Sequence, residues 1–429
     1  MPDADSRDGR PRRRPMRRPF TRRDFLRFSG LAAAAGPLAA CARQSTSLSG
    51  AKTGSAAPTL QIASPNHPVT WPIAADNQPI ASGLLPEKNA TLQLYNYADY
   101  IDPATLKAFE KKYAKYGLKV KVSTFNDTNE ALAKIRSGTV PFDIYFPSYD
   151  AIGKLVTTGL IRPLNHSYIP NIVNVWPEFQ NPFYDGGWQY TVPYTIYTSG
   201  ISWRTDRVKE DISKRPNPWD VFWDPQYKGK LSVLDDYREA ISMVLLREGN
   251  TDVNTADTAA LQKVQQDMTA MTAATHPRVT ITDYSDLPEG KFSLTHSWSG
   301  DAVNMPYYLP KNGDASILRY WTPPPGKGLV NNDLMAILRS GKNPVAAHLL
   351  FNFLLAPDNA ISNFGFTGYQ PPQVTLTPAE LVNQELIPPN LKPATVLQGY
   401  FATGLRTLEL PPAVDAQWQA VWQRFKAGA

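Results

Sequence analysis

The chain has 429 residues, 19% of them charged, a formal net charge of +6 and a single cysteine. A positive excess would ordinarily raise nucleic acid or an anionic membrane as partners. Here ten arginines and four aspartates fall within residues 1–40, which leaves 34 basic against 34 acidic residues in the remainder. So neutral a body gives no ground for a nucleic-acid role, and one cysteine excludes an internal disulfide framework or a thiol-rich metal site.

The first forty residues read as an address. Thr21-Arg22-Arg23-Asp24-Phe25-Leu26 resembles a twin-arginine export motif, and a weakly apolar stretch over 28–40 follows it. Leu38-Ala39-Ala40-Cys41 looks like a lipobox, in which the Cys41 thiol is acylated after transport and becomes the mature N-terminus. Gly30, Gly36 and Pro37 interrupt this stretch, which argues against a regular helix burying Cys41. The expected organisation is a signal peptide over 1–40 and a lipid anchor and tether over 41–90. The protein would be held on the outer face of the cytoplasmic membrane by the lipid on Cys41. No run approaches the roughly 18 to 20 apolar residues that a spanning helix needs.

Residues 42 to 65 are Ala, Ser, Thr, Gly and Gln in the main, a composition that cannot offset the entropy of folding. From Pro65 to Glu87 prolines continue, but Val69, Trp71, Ile73, Ile80, Leu84 and Leu85 are interspersed. This part is expected to lie against the body without regular structure. The body then starts at Thr91 with Leu92-Gln93-Leu94-Tyr95-Asn96-Tyr97 as a strand. Asp102 caps a helix that has Pro103 at its first position and ends near Gly117. A strand over 118–125, a helix over 129–137 and a buried strand over 142–146 follow. The middle repeats this grammar: a strand over 230–234, a helix to Glu248, a helix over 256–272 and a strand over 292–296. Later come a strand over 334–338, a helix over 344–355 and a closing helix over 415–426. Strands alternating with helices predict an α/β protein with mainly parallel sheets, and strand ends in such sheets are where ligands bind.

Catalytic and cofactor signatures are missing. The sequence has no Gly-x-Ser-x-Gly, no His-Glu-x-x-His, no Walker loop and no complete Gly-x-Gly-x-x-Gly. The five histidines have no ligand spacing, and His296, beside Trp298, is expected to be structural. No cofactor and no metal are expected. What recurs is a carboxylate beside aromatics at strand ends: Asp99 with Tyr97 and Tyr100, Asp150 with Tyr149, Asp236 and Glu239 with Tyr237, Trp298 before Asp301, and Asp333 before a strand. Carboxylates and ring faces together suit an elongated organic cation. One or two of these acids, Asp150 first, are expected at the rim or paired with Arg238 or another base.

Tyr95-Asn96-Tyr97-Ala98-Asp99-Tyr100 is similar to the opening motif of the spermidine/putrescine-binding proteins of ABC importers. The resemblance continues through Phe142-Asp143-Ile144, Pro147-Ser148, Tyr190 to Tyr194, Trp219-Asp220, Asp235 to Glu239, Trp298-Ser299-Gly300, Asn352 to Leu355 and Gly368-Tyr369, in family order over residues 91–429. It implies a two-lobed periplasmic-binding-protein type II fold with crossing hinge strands, lobe 1 as 91–197 plus 333–377 and lobe 2 as 198–332 plus 378–429. It implies no enzymatic activity, a monomer, a polyamine ligand and the permease of an ABC transporter as partner. By residue, Tyr97 and Tyr100 would be walls, Asp99 a polar contact and Ser148 a hydroxyl partner. Asp236 and Glu239 would hold one ammonium, Trp298 would stack on the chain, Asp333 would take the other amine, and Tyr369 would add a wall. The chain departs from the family at Tyr97 for a tryptophan, at Asn331 for a ring-stacking tryptophan, and at Asp150 for a tyrosine. Asn331 and Asp150 are accordingly rim candidates. The alternatives are a receptor for another small solute, or a secreted glycosidase using Asp236 with Glu239 or Asp99 with Asp333.

Overall fold

The computed structural model describes residues 61–126 and 128–428. The export motif and Cys41 lie outside them. In chain order the elements are β1 (Thr91–Tyr97), α1 (Pro103–Lys112), β2 (Lys119–Phe125), α2 (Thr128–Ser137), β3 (Ile144–Tyr145), α3 (Ile152–Thr157), β4 (Thr191–Arg204), β5 (Leu231–Leu234), α4 (Tyr237–Arg247) and α5 (Thr258–Thr275). They continue with β6 (Arg278–Thr280), α6 (Asp283–Asp286), β7 (Leu294–Trp298), α7 (Ser299–Asn304), β8 (Leu318–Trp321), β9 (Val330–Ile337), α8 (Pro344–Leu354), α9 (Pro357–Thr367), α10 (Pro378–Asn383), α11 (Gln398–Thr403) and α12 (Pro412–Gly428). Strand order is β2-β1-β3-β9-β4-β7-β5-β6, with β8 on β4.

The α/β expectation holds, and local chemistry accounts for its starting points. Asp102 accepts from the amides of Ala104 and Thr105 at 2.8 and 3.0 Å, with Pro103 in the first turn of α1. Gly117 takes the left-handed conformation that ends the following turn. The parallel pairs are β1 with β2 and β3, and β5 with β6 and β7. The pairs that join these two groups are antiparallel: β3 with β9, β9 with β4, and β4 with β7 and β8.

The longest strand, β4, was not among those read from the hydropathy pattern. All fourteen of its residues are buried, so it shows no alternation of apolar and polar faces. Asp185 sets its start. This fully buried carboxylate accepts from the amides of Tyr190 and Thr191 and from the Thr191 hydroxyl at 2.8–3.0 Å. Burial pushes its pKa up to about 6 against those bonds. Thr191–Thr198 pair with β9, and Ser199–Trp203 pair with β7. At Gly200 the strand meets β8 so closely that a Cβ would collide with the Trp321 carbonyl. Strand β9 begins at Val330, four residues before the predicted Leu334, so Asp333 lies inside it.

Two apolar clusters serve the two ends of β4. One joins Leu94, Phe109, Ile196, Met335 and Phe351, and another joins Ile201, Val233, Val244, Met268 and Trp418. Val396, Tyr400 and Phe401 pack with the first of these. A third passage runs beside β9: Leu405 pairs in parallel with Leu329, and the Val330 amide donates to the Leu405 carbonyl at 3.0 Å.

The segment before β1 lies on the body without helix or strand, as expected. Trp71 is 1% exposed and its indole donates to the Tyr184 carbonyl at 2.8 Å. Val69 exchanges backbone bonds with Phe183 and Gly186, and Glu87 accepts from the Val345 and Ala346 amides at the start of α8. Trp71→Ala is expected to cost about 3 kcal/mol or more, the range for emptying a buried tryptophan site. Urea unfolding monitored by circular dichroism measures it, and an unchanged midpoint would show that this segment is not part of the cooperative unit.

Candidate functional site

Asp333 is the centre. It is 5% exposed, and Tyr100, Ser148 and Tyr197 donate hydroxyls to it at 2.7, 2.8 and 3.3 Å. Each donor arrives from a different place: the loop after β1, the loop after β3, and β4 itself. Burial pushes the Asp333 carboxyl up to about 6, while the three hydroxyls pull it down. Burial and the Asp333 charge push the Tyr100 and Tyr197 phenols well above their ordinary value, so both stay protonated and donate. Ser148 also bridges Asp333 through the backbone.

Rings surround this carboxylate. Tyr100 meets Tyr97, Tyr194 and Tyr369 edge to face at 5.7, 5.4 and 4.7 Å. Tyr197 meets Trp298 and Tyr369 at 6.1 and 5.7 Å. Tyr369 lies over Gly300 so closely that any Cβ there would enter the ring. Its hydroxyl donates to Asp301 at 2.9 Å. Asp301 and Asp283 form a buried carboxyl pair, both pushed up by burial first, Asp283 to about 7.

Glu239 forms the other acidic end. It is 4% exposed, and its Oε1 accepts from Asn331 at 3.3 Å. Burial and then the Asp236 charge raise its pKa to about 7, while the neighbouring Ser199, Trp298 and Asn331 lower it. Asp236 caps α4 by accepting from the Arg238 and Glu239 amides at 2.8 and 3.0 Å, both on Oδ1. Its own pKa rises to about 6, from burial first. The charges of both Asp333 and Glu239 add to the upward shift of the Tyr197 phenol, after burial.

Of the residues singled out in the sequence, Tyr97, Tyr100, Ser148, Asp236, Glu239, Trp298, Asp333 and Tyr369 come together, with Asn331 beside Glu239. Asp99 does not join them. It is exposed, has a left-handed backbone (φ 54°), and accepts from Tyr284 and Tyr308 at 3.2 and 3.5 Å. Asp150 is half-buried, its pKa raised by burial and lowered by Arg238 and Lys154. Arg238 forms no direct ion pair with it. That guanidinium donates to the Leu408 and Val253 carbonyls and to Asn254, and lies over Trp418. Tyr197 and Ser199 were not among the residues singled out in the sequence, whereas Asp301 was, as the acid after Trp298. A signal for the first two is the hydroxyl-rich run Thr191, Tyr194, Thr195, Tyr197, Thr198, Ser199. His296 is buried and packs edge-on to Trp219, its Nδ1 meets no hydrogen-bond partner, and burial pushes its pKa down to about 3.

Residues 104–385 match the family model described as bacterial extracellular solute-binding protein. The chain is 27% identical over 351 residues to the spermidine/putrescine-binding periplasmic protein of Escherichia coli, covering 80% of this chain and 93% of that one. It is 26% identical over 353 residues to the putrescine/agmatine-binding protein of Pseudomonas aeruginosa, covering 79% and 92%. A solved structure of a putative spermidine/putrescine ABC transporter from Listeria monocytogenes superposes with a TM-score of 0.67 at 28% identity, covering 78% of this chain and 98% of that one. These relatives are binding proteins rather than enzymes.

The raised carboxyls make the stability of the ligand-free protein depend on pH. Glu239 moves from 4.5 to about 7, and Asp236 and Asp333 from 3.8 to about 6. Between the two values the folded state keeps protons that the unfolded chain has lost, so stability falls as pH rises through that window. The melting temperature should drop between pH 5 and pH 8, and Glu239→Gln should flatten the drop. An equally steep fall in the variant would show that Glu239 is not among the responsible groups.

Proposed function

Because the chain belongs to the bacterial extracellular solute-binding proteins, we propose that it captures a linear polyamine of the putrescine or spermidine kind and delivers it to the permease of an ABC importer. The observation that carries this reading is the pair of buried acidic ends, Asp333 and the Asp236–Glu239 group, with the rings of Tyr197, Tyr100, Tyr369 and Trp298 along the way. Carboxyls that burial drives toward neutrality are poised to ionise when a cation arrives, because an ammonium supplies the counter-charge that water no longer provides. Ring faces hold the cationic ends and cover the methylenes between them, each cation–ring contact contributing about 0.5–2 kcal/mol. The names of the relatives from Escherichia coli and Pseudomonas aeruginosa support the same ligand class.

In this reading lobe 1 comprises 91–197 plus 333–377 and lobe 2 comprises 198–332 plus 378–429, with the change of lobe in β4 falling where its partner changes from β9 to β7. Asp99 acts at the rim as a clasp, since its carboxylate in lobe 1 takes the Tyr284 and Tyr308 hydroxyls of lobe 2. The protein works as a monomer. It leaves the cell interior by the twin-arginine route and is anchored through a lipid on Cys41 to the outer face of the cytoplasmic membrane. The strap through Trp71 then joins the tether to lobe 1.

Putrescine and spermidine should raise the melting temperature and neutral sugars should not. Isothermal titration of Asp333→Asn should show affinity for either amine falling at least about 100-fold, in the range for removing one charge of a buried pair. The folded state should persist, because the amide retains the shape and accepts some of the hydroxyl bonds. Full affinity in Asp333→Asn would remove this residue from the site, and no response to any amine would overturn the ligand class.

A further inference from the structure

Asn331 stands where three parts of the chain meet. It lies in β9 two residues before Asp333, so both side chains leave the same face of the strand, and it is buried. Its Oδ1 accepts from the Tyr149 hydroxyl at 3.0 Å, from the Thr407 hydroxyl at 3.2 Å and from the Thr407 amide at 3.4 Å. Its Nδ2 donates to Glu239 Oε1 at 3.3 Å. These partners fix which way the amide points, because a flipped group would turn its NH2 toward the Thr407 amide and its oxygen toward a carboxylate. The ring-stacking tryptophan expected here could not make these links, since an indole has one donor and no acceptor.

Thr407 belongs to the third passage, the segment after α11 in which Leu405 pairs with Leu329. That passage is held on two sides. Arg406 donates to the Val330 carbonyl at the head of β9 at 2.7 Å and lies over the Phe401 ring. On the other side Asn254 donates to the Arg406 carbonyl at 2.8 Å and accepts from the Leu408 amide at 2.7 Å, and Arg238 donates to the Leu408 carbonyl at 2.7 Å. Arg238 and Glu239 are consecutive residues in the first turn of α4. The turn that carries Glu239 therefore grips the passage twice, directly through Arg238 and through Asn331 to Thr407. Tyr149 extends the chain of bonds the other way, because it follows Ser148, whose hydroxyl donates to Asp333.

We propose that Asn331 is a positioning residue that couples the occupancy of Glu239 by an ammonium to the setting of the third passage, and through it to the closure of the two halves. The inference rests on the polyamine reading above, which supplies the cation. An ammonium on Glu239 holds that side chain ionised, and a hydrogen bond to an ionised group is roughly twice as strong as one between neutral groups. The Nδ2 bond therefore tightens when the ligand arrives. It does so only while Oδ1 keeps the amide in place, which is the task of Thr407. Thr407 then acts on the ligand without touching it.

Isothermal titration of the purified full-length protein with putrescine and spermidine tests it. Thr407→Val keeps the shape and removes the hydroxyl, and should weaken both amines by about three- to tenfold, the range for one hydrogen bond. Thr407→Ser retains the donor and should stay within about twofold of the unsubstituted protein. Asn331→Leu should weaken both amines at least about tenfold, and the double variant Asn331→Leu/Thr407→Val should bind no more weakly than Asn331→Leu alone, since both changes break one link. Additive losses in the double variant would mean that Thr407 acts independently of Asn331, and would overturn the coupling. So would full affinity in Thr407→Val, or an equal loss in Thr407→Ser. If Asn331→Leu does not fold, the comparison of Thr407→Val with Thr407→Ser decides. If neither amine binds the unsubstituted protein, the polyamine reading has failed and the coupling with it, a different result from binding that ignores Thr407.

Discussion

One buried carboxylate organises the site. Asp333 is removed from water, and an isolated charge there would be too costly to keep. Three hydroxyls meet it, and hydrogen bonds to a charged group contribute about 1.5–3 kcal/mol each. Tyr100, Ser148 and Tyr197 reach it from the ends of β1 and β3 and from β4, so the strand ends of one half-sheet are tied to a single pair of oxygens. A ligand that displaced or reoriented any of these hydroxyls would be felt through all three segments.

Asp333 also sits on a strand that couples the two halves of the molecule. Strand β9 pairs with β3 and with the first part of β4, and the second part of β4 carries β7 and β8. Glu239 reaches the cleft from α4, on the far side of that switch, and Asn331 links it back to β9. The two acidic ends are therefore mounted on different halves but joined by strands that cross between them. Motion of the halves about these crossings would change the separation of the ends while leaving each end's own partners intact.

Close backbone approach gives the rings their places. Tyr369 occupies the space over Gly300, and Gly368, with φ 74°, turns the chain after α9 to bring it there. Strand β4 likewise passes β8 only because position 200 has no side chain. The strap fulfils a different demand: its prolines forgo regular structure, and Trp71 and Val69 supply the apolar contact that keeps it on the body.

The order of most strands and helices, the cap at Asp102 and the recurrence of acids beside aromatics were legible in the residues themselves, because capping and periodicity are local. The even charge balance of residues 41–429 follows from arithmetic on the chain alone. Strand β4 was not legible, since a strand buried on both faces has no alternation to read, and neither was the position of Asp333 inside β9, which depends on pairing with Thr195. Asp99 and Glu239 look alike as acids near aromatics. Only the tertiary structure leaves one exposed and buries the other, because burial depends on what packs over a residue from distant parts of the chain.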